Sequence, residues 1–469
     1  MSADQVSKRA ALLIAATGAF LTPFMGSSIN VALPVIGAEF NINAILLSWV
    51  PAVFLLSAAM FLVPFGRLAD IYGRKRIFTY GIMLFTFSSL LCGLVTSAAF
   101  LIVFRFLQGV GGAMMFGTGV AILTSVFPPK ERGKALGINV AAVYMGLSVG
   151  PFLGGFLTQH LGWRSIFLTL VPLGLLVIGL VFTKLKAEWA EARGERFDFA
   201  GSVIYSFALV TLMYGFSLLP ARSGAWLVLT GVIGIIGFVR WELQVRSPVL
   251  DVRLFLKNTV FAFSNLAALI NYCATFAVGF LLSLYLQYIK GFSPQSAGLI
   301  LVIQPVLMAV FSPFAGRLSD RIEPRVVASV GMALTTVGLF ALTFLNEATS
   351  FALIVGSLVL LGLGFACFSS PNTNAVMSAV EKRFYGVASG TIGTMRLVGQ
   401  MLSMGIAMLV FAVYVGRAPI TPELYPDFLS GVRVAFAVFA VLCFAGIFAS
   451  LVRGEIRPKP EAPAADGEN

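Results

Sequence analysis

The chain has 469 residues, of which 58% are hydrophobic and only 11% charged, with a mean hydropathy of +0.94. This composition excludes a water-soluble globular protein, because no soluble core could hide that much apolar surface. The net charge of +12 is no nucleic-acid footprint either, since the basic residues alternate with apolar runs instead of gathering in one patch.

A helix needs ~20 apolar residues to cross ~30 Å of hydrocarbon. Runs of about that length predict spans near 11–34, 46–66, 77–97, 99–125, 135–158, 164–183 and 199–219. They continue near 225–243, 259–287, 295–316, 326–345, 350–374, 386–415 and 429–452, fourteen in all. The third and fourth are separated only by a short polar break at Thr96 and Ser97. The first run, behind Lys8 and Arg9, is too long for a signal peptide and is read as an uncleaved helix. Most Lys and Arg fall in alternate loops, among them Arg67, Arg74, Lys75 and Arg76, then Lys130, Arg132 and Lys134, and later Arg317, Arg321, Arg325, Lys382 and Arg383. This bias predicts a multi-pass protein of a plasma or inner cell membrane with both termini cytoplasmic. The tail, 457–469, is rich in Pro, Ala and acids and is expected to be disordered. Cys92, Cys273, Cys367 and Cys443 all fall inside spans, and His160 is the single histidine, so disulfides, a metal site and a cofactor are not expected.

Gly66-Arg67-Leu68-Ala69-Asp70, at the end of the second span, recurs as Gly316-Arg317-Leu318-Ser319-Asp320 at the end of the tenth. The interval holds six helices and leaves room for two more, so spans seven and eight are the expected insertion. The chain divides accordingly into an N-terminal six-helix bundle, 1–183, a linker with two inserted spans, 184–258, a C-terminal six-helix bundle, 259–456, and the tail.

These residues carry a resemblance. Gly66-Arg67-Leu68-Ala69-Asp70-Ile71-Tyr72-Gly73-Arg74-Lys75-Arg76 resembles the loop between helices two and three of the major facilitator superfamily. Arg105-Phe106-Leu107-Gln108-Gly109 is similar to its fourth-helix pattern. The stretch from Gly146 through Gly150, Pro151, Gly154 and Gly155 is similar to its antiporter pattern, and Trp163-Arg164-Ser165-Ile166-Phe167 and Ser312-Pro313-Phe314 match as well. Within the superfamily the chain resembles the fourteen-spanner drug:proton antiporters. The resemblance implies an all-α membrane protein of two six-helix bundles plus two inserted helices, working as an exporter and not as an enzyme. Its fifth-helix pattern is associated in that family with packing against the other half.

Arg67 and Asp70, three residues apart, have the spacing to meet on one helical surface and clip an inner gate, and Arg317 with Asp320 repeat it. Arg105, with Gln108 one turn along, and Arg396, with Gln400 one turn along, lie inside spans. A guanidinium at membrane depth is costly unless it faces a wet cavity or a partner, so both are candidate cleft residues. Asn30, Tyr144, Asn265, Asn271, Gln304 and Asn372 are candidates for the substrate site that such transporters place near the midplane. Gly146, Gly150 and Gly154 line one side of a helix and permit close backbone approach, and Pro151 removes a backbone donor there.

One departure matters. Where the resembled family carries an Asp ahead of Asn30-Val31-Ala32-Leu33-Pro34, this chain has Met25, and no carboxylate falls at mid-membrane. The usual proton carrier is missing, while Arg105 and Arg396 leave the interior formally positive. The expected function is export of hydrophobic or amphipathic small molecules by alternating access, by a monomer in the lipid bilayer, with proton-coupled multidrug efflux as the specific reading the resemblance implies. The alternative is an exporter or facilitator of an organic anion or lipid-like solute with no conventional proton site.

Overall fold

The structure, a computed structural model, describes residues 3–245, 247–381 and 385–454. The expected disordered tail, 457–469, and the loop cations Lys382 and Arg383 lie outside the described residues. Among the described residues, fourteen helices are long and apolar enough to cross a membrane. The first seven are α1 (Lys8–Phe40), α2 (Ala44–Tyr72), α3 (Arg74–Leu94), α4 (Ala98–Val126), α5 (Glu131–Leu161), α6 (Arg164–Lys184) and α7 (Phe199–Leu218). The rest are α8 (Arg222–Gln244), α9 (Thr259–Ile289), α10 (Pro294–Ser319), α11 (Pro324–Leu342), α12 (Phe351–Ser378), α13 (Tyr385–Tyr414) and α14 (Pro422–Val452). No strand occurs among the described residues. Several helices overrun the spans expected from hydropathy, because an apolar run measures only the hydrocarbon and not the turns beyond it. At 33 residues, α1 is the longest.

Local chemistry sets the boundaries. Asn43 Oδ1 accepts the Leu46 backbone N–H at 2.8 Å and starts α2. Gly73, at φ +123°, turns the chain from α2 into α3 in a conformation an L side chain rarely adopts. Ser97 caps α4, so the short polar break between the third and fourth spans is a true helix start.

An even number of crossings leaves the Lys8 end of α1 and the Val452 end of α14 on one face, called here the near face. Each bundle contains a tight crossing at equivalent places. A Cβ on Gly81 of α3 would lie 3.0 Å from the Gly111 carbonyl of α4, and one on Gly331 of α11 would lie 2.6 Å from the Gly364 carbonyl of α12. Gly81 and Gly331 are separated by the same offset as Gly66 and Gly316, so the repeat reaches from the loop into the helix packing. The inserted pair α7 and α8 lies outside the two bundles, across their seam. Tyr205 of α7 donates to the Ala59 carbonyl of α2 at 3.2 Å, and Phe216 of α7 lies against Gly405 of α13. Trp226, Ile233 and Ile236 of α8 are exposed, as lipid-facing side chains are.

Candidate transport cleft and the near-face charge cluster

The two bundles touch through their far-face halves. Ser283 Oγ of α9 donates to the Asn30 carbonyl of α1 at 2.8 Å, and Gln287 Nε2 donates to the Val31 carbonyl at 2.9 Å. On the opposite side of the seam, a Cβ on Gly155 of α5 would lie 2.5 Å from the Pro294 carbonyl. One on Gly298 of α10 would lie 2.1 Å from the Pro151 carbonyl. Only glycine lets these backbones meet, so Gly155 and Pro151 mark the contact between halves. Gly146, Gly150 and Gly154 do something else: they pack on Phe20, Ser27 and Ser28 of α1, within their own bundle. The regularly spaced glycines of the antiporter pattern therefore do not face the other half; the contact between bundles is made one residue along at each end.

Toward the near face the helices part. A Cβ at Gly66 of α2, Gly133 and Gly137 of α5, or Gly386 and Gly390 of α13 would meet nothing within 4 Å. At the apex of this cleft Tyr144 of α5 accepts a hydrogen bond from Ser312 Oγ of α10 at 3.1 Å. Ser369 of α12 lies within hydrogen-bonding reach of the same phenol, and Arg396 of α13 acts on it electrostatically. The Arg396 guanidinium stands 4.3 Å over the Phe116 ring of α4, half-buried, with no acidic partner among the described residues. Tyr272 of α9 packs edge-on against Phe365 of α12. Gln304 and Gln400 are also half-buried. Side chains of both bundles thus converge on one cation and a set of hydroxyl and aromatic groups. Ser312, Ser369 and Phe116 escape sequence reading because a lone hydroxyl or ring in an apolar helix has no pattern of its own.

Arg105 does not line the cleft. It is 0% exposed inside the N-terminal bundle, where Nε donates to the Val50 carbonyl at 3.1 Å and Nη1 to Gln108 Oε1 at 2.6 Å. Gln108 Nε2 in turn donates to Ser89 Oγ at 2.7 Å, and the guanidinium lies 4.5 Å over the Phe54 ring. The arginine links α2, α3 and α4, which satisfies its charge without a cavity. Asn372 also turns inward: its Oδ1 accepts from Arg453 Nη1 at 2.9 Å, and its Nδ2 donates to the Ser264 carbonyl at 3.1 Å. Asn265 donates to the Phe261 carbonyl of its own helix at 2.9 Å. Both are buried in the C-terminal bundle, away from the cleft, as is Arg453, which loop counting alone assigns to topology. Asn271 is wholly buried with neither amide atom paired, and Asn30 contributes its carbonyl to the seam while its Oδ1 is unpaired.

The near-face loop departs from the expected Arg67–Asp70 pair. Asp70 pairs instead with Arg74, one turn on, at 2.8 Å. Arg67 is taken by Glu195 of the segment after α6. Arg74, 8% exposed, donates from Nη1 to Glu191 Oε1 at 2.7 Å and from Nη2 to Glu191 Oε2 at 2.9 Å, and reaches Ser125 of α4 at 2.7 Å. Glu188 accepts the Lys75 backbone N–H at 2.8 Å, filling the space that Gly73 leaves. The chain backbone adds two bonds, Arg74 N to the Trp189 carbonyl and Ala192 N to the Asp70 carbonyl, at 2.8 and 2.9 Å. Bidentate arginine–carboxylate geometry outcompetes the i,i+3 pair once acids from a distant segment fold onto the loop. In the second copy Gly316 lies against Ser370, and Arg317 and Asp320 are exposed and form no ion pair among the described residues.

The sequence profile of the Major Facilitator Superfamily matches residues 15–263 and 264–468. Among similar proteins, the riboflavin transporter RibZ of Clostridioides difficile is 29% identical over 93% of this chain and 95% of its own length. The multidrug resistance protein Stp of Mycobacterium tuberculosis is 32% identical over 88% of this chain and 77% of its own. The cephamycin export protein CmcT of Amycolatopsis lactamdurans is 32% identical over 92% and 91%. Among solved structures, a bacterial homolog of the human lysosomal transporter Spinster, inward-facing and unoccupied, superimposes with a TM-score of 0.65 at 18% identity, covering 95% of this chain and 97% of that one. A D-xylose–proton symporter does so with a TM-score of 0.67 at 15% identity, covering 96% and 98%. With its repeated loop, its seam of close backbone contacts and its cleft between two six-helix bundles, the chain belongs to the major facilitator superfamily and is a multi-pass membrane transporter of small molecules, not an enzyme.

Proposed function

We propose that the protein exports amphipathic small molecules by alternating access, and that Arg396 receives the anionic or strongly polar end of the solute. The observation that carries this reading is the Arg396 guanidinium, set over Phe116 in the cleft with no carboxylate among the described residues to neutralise it. A guanidinium with free N–H groups binds planar anions in a fork, and the neighbouring rings of Phe116, Tyr272 and Phe365 accept an aromatic or apolar body. The loop cations support a cytoplasmic near face in a cell membrane, with both termini inside, so this arrangement takes up solute from the cytoplasm. The names of relatives, two of them a multidrug resistance protein and a cephamycin export protein, support outward movement. A monomer suffices, since both halves of the cleft come from one chain.

Met25, in the place where the resembled antiporters carry an acid, is 0% exposed and cannot titrate. The reading therefore favours anionic and neutral amphiphiles over cationic drugs, and proton antiport, if present, uses another group. The test is export from inverted vesicles of three probes that share one aromatic body and differ only in carrying a carboxylate, a hydroxyl or an ammonium. Preference for the carboxylate, lost in Arg396→Ala, is the expected result. Preference for the ammonium, unaltered by that substitution, would overturn the proposal.

A further inference from the structure

Glu242 is 1% exposed, less than one turn before the near-face end of α8, and no other Asp or Glu among the described residues is buried. Its Oε2 accepts the Leu250 backbone N–H at 2.9 Å, while its Oε1 is buried without a hydrogen-bond partner among the described residues. That orphan oxygen points at Asp198. A Cβ on Gly201 would lie 2.3 Å from Asp198 Oδ2 and 2.6 Å from Glu242 Oε1, so the two carboxylates face one another across a gap that only glycine leaves open. Asp198 already accepts the Gly201 backbone N–H on Oδ1 and Trp241 Nε1 on Oδ2, each at 2.9 Å.

No basic side chain among the described residues bonds either carboxylate. Arg253, in the segment after α8, donates Nη2 to the carbonyls of Leu243 and Val245, and Arg240 is exposed on α8. Asp251 accepts the Arg253 backbone N–H, Glu195 of the linker is held by Arg67, and Tyr205 of α7 donates to the Ala59 carbonyl. Two ionised carboxylates this close, one of them buried, repel each other and cannot both stay charged. A single proton on Glu242 Oε1, donated to Asp198 Oδ2, supplies the missing partner and removes one charge.

We propose that Asp198 and Glu242 form a proton-binding site that holds one shared proton in this conformation and makes transport responsive to pH on the near side. Asp198 is half-buried, so the proton exchanges with near-side water through it. The site can act on transport because α7, which Asp198 caps, touches both bundles, α2 through Tyr205 and α13 through Phe216. Loss of the proton leaves two facing charges, and the strain is relieved by parting the near end of α8 from α7. Rising near-side pH therefore disfavours the arrangement seen here. The site does not depend on which solute is carried.

Infrared difference spectra of the purified full chain across a pH titration read the proton directly, with no substrate present. The expected result is a carbonyl band of a neutral carboxylic acid that disappears as pH rises and is missing from Glu242→Gln. In proteoliposomes, flux by the native chain should vary with near-side pH, and Glu242→Gln should lose that response while still transporting. Asp198→Asn, which leaves Glu242 facing an amide donor in place of a carboxylate, should lose it too and serves if Glu242→Gln fails to fold. A native band and pH profile retained in either variant would overturn the proposal. So would stabilisation of the native chain by sodium that Glu242→Gln abolishes, since the pair would then hold a metal cation.

Discussion

Arg105 in α4 and Arg396 in α13 are both intramembrane arginines with a glutamine nearby, and the structure uses them in opposite ways. Arg105 is sealed in its bundle, with donors on Val50 and Gln108 and a ring, Phe54, beneath it. Among the described residues Arg396 has only the ring beneath it, Phe116, and that ring belongs to the other bundle. A guanidinium carries five N–H donors, so where they point decides whether the residue holds helices together or has bonds left for a solute. Membrane depth alone does not distinguish the two cases.

The largest effect should come from the sealed arginine. Arg105→Ala removes a side chain tying three helices together and strands the Gln108 and Val50 acceptors, each worth about 1–3 kcal/mol when buried and unpaired. The expected outcome is a marked loss of folded protein in the membrane and a lower unfolding temperature of whatever is purified. Normal stability with lost transport would break the comparison, because Arg105 would then be acting on solute.

Arg396→Ala should do the reverse, leaving expression and thermal stability near native. Loss of a charge-assisted bond of about 1.5–3 kcal/mol corresponds to roughly a tenfold to hundredfold fall in affinity for an anionic probe. Arg396→Lys should recover only part of it, since an ammonium cannot reproduce the planar fork. Binding by fluorescence or radioligand displacement, with a neutral probe as control, checks both variants. Equal losses for neutral and anionic probes would place Arg396 among the structural groups.

The two rings sharpen the same contrast at smaller amplitude. A cation–π contact contributes about 0.5–2 kcal/mol, more where water is excluded. Phe54→Leu should therefore lower stability with little change in transport. Phe116→Leu should lower apparent affinity severalfold with little change in stability. Thermal melts and transport kinetics on the same two preparations decide it, and an exchange of the two phenotypes would reverse the assignment of the arginines.

Hydropathy made the fold legible because the length of an apolar run is a direct consequence of bilayer thickness, and all fourteen crossings follow from it. The repeat was legible because Gly66–Asp70 and Gly316–Asp320 preserve residue type and order. The site was less so. Arg105 and Arg396 look alike in sequence, since a polar residue in an apolar helix has the same signature whether it faces a neighbouring helix or a cleft. The Arg74–Glu191 pair joins residues with four helices, α3 to α6, between them, which no local spacing reveals. Glu242 reads as an ordinary helix-end acid, and only the packing of Gly201 against it shows that it is buried.

The smallest effect concerns Tyr144, whose hydroxyl accepts from Ser312 Oγ across the two bundles at 3.1 Å. Tyr144→Phe keeps the ring and removes that acceptor together with its reach to Ser369 and its place beside Arg396. One neutral hydrogen bond is worth about 0.5–1.5 kcal/mol, so a change of about twofold to tenfold in KM is expected with no shift in melting temperature. The direction carries the information. Because Arg396 and the phenol share one cleft, a weaker KM for anionic probes alone means that the hydroxyl orients solute on the guanidinium. Equal weakening for neutral probes means that the Tyr144–Ser312 bond instead sets how far α5 and α10 separate, and the double variant Tyr144→Phe with Ser312→Ala should then be no worse than either alone. Additive losses in that cycle would show that the two side chains meet the solute separately, and the cleft would have two polar contact points where the structure shows one shared bond.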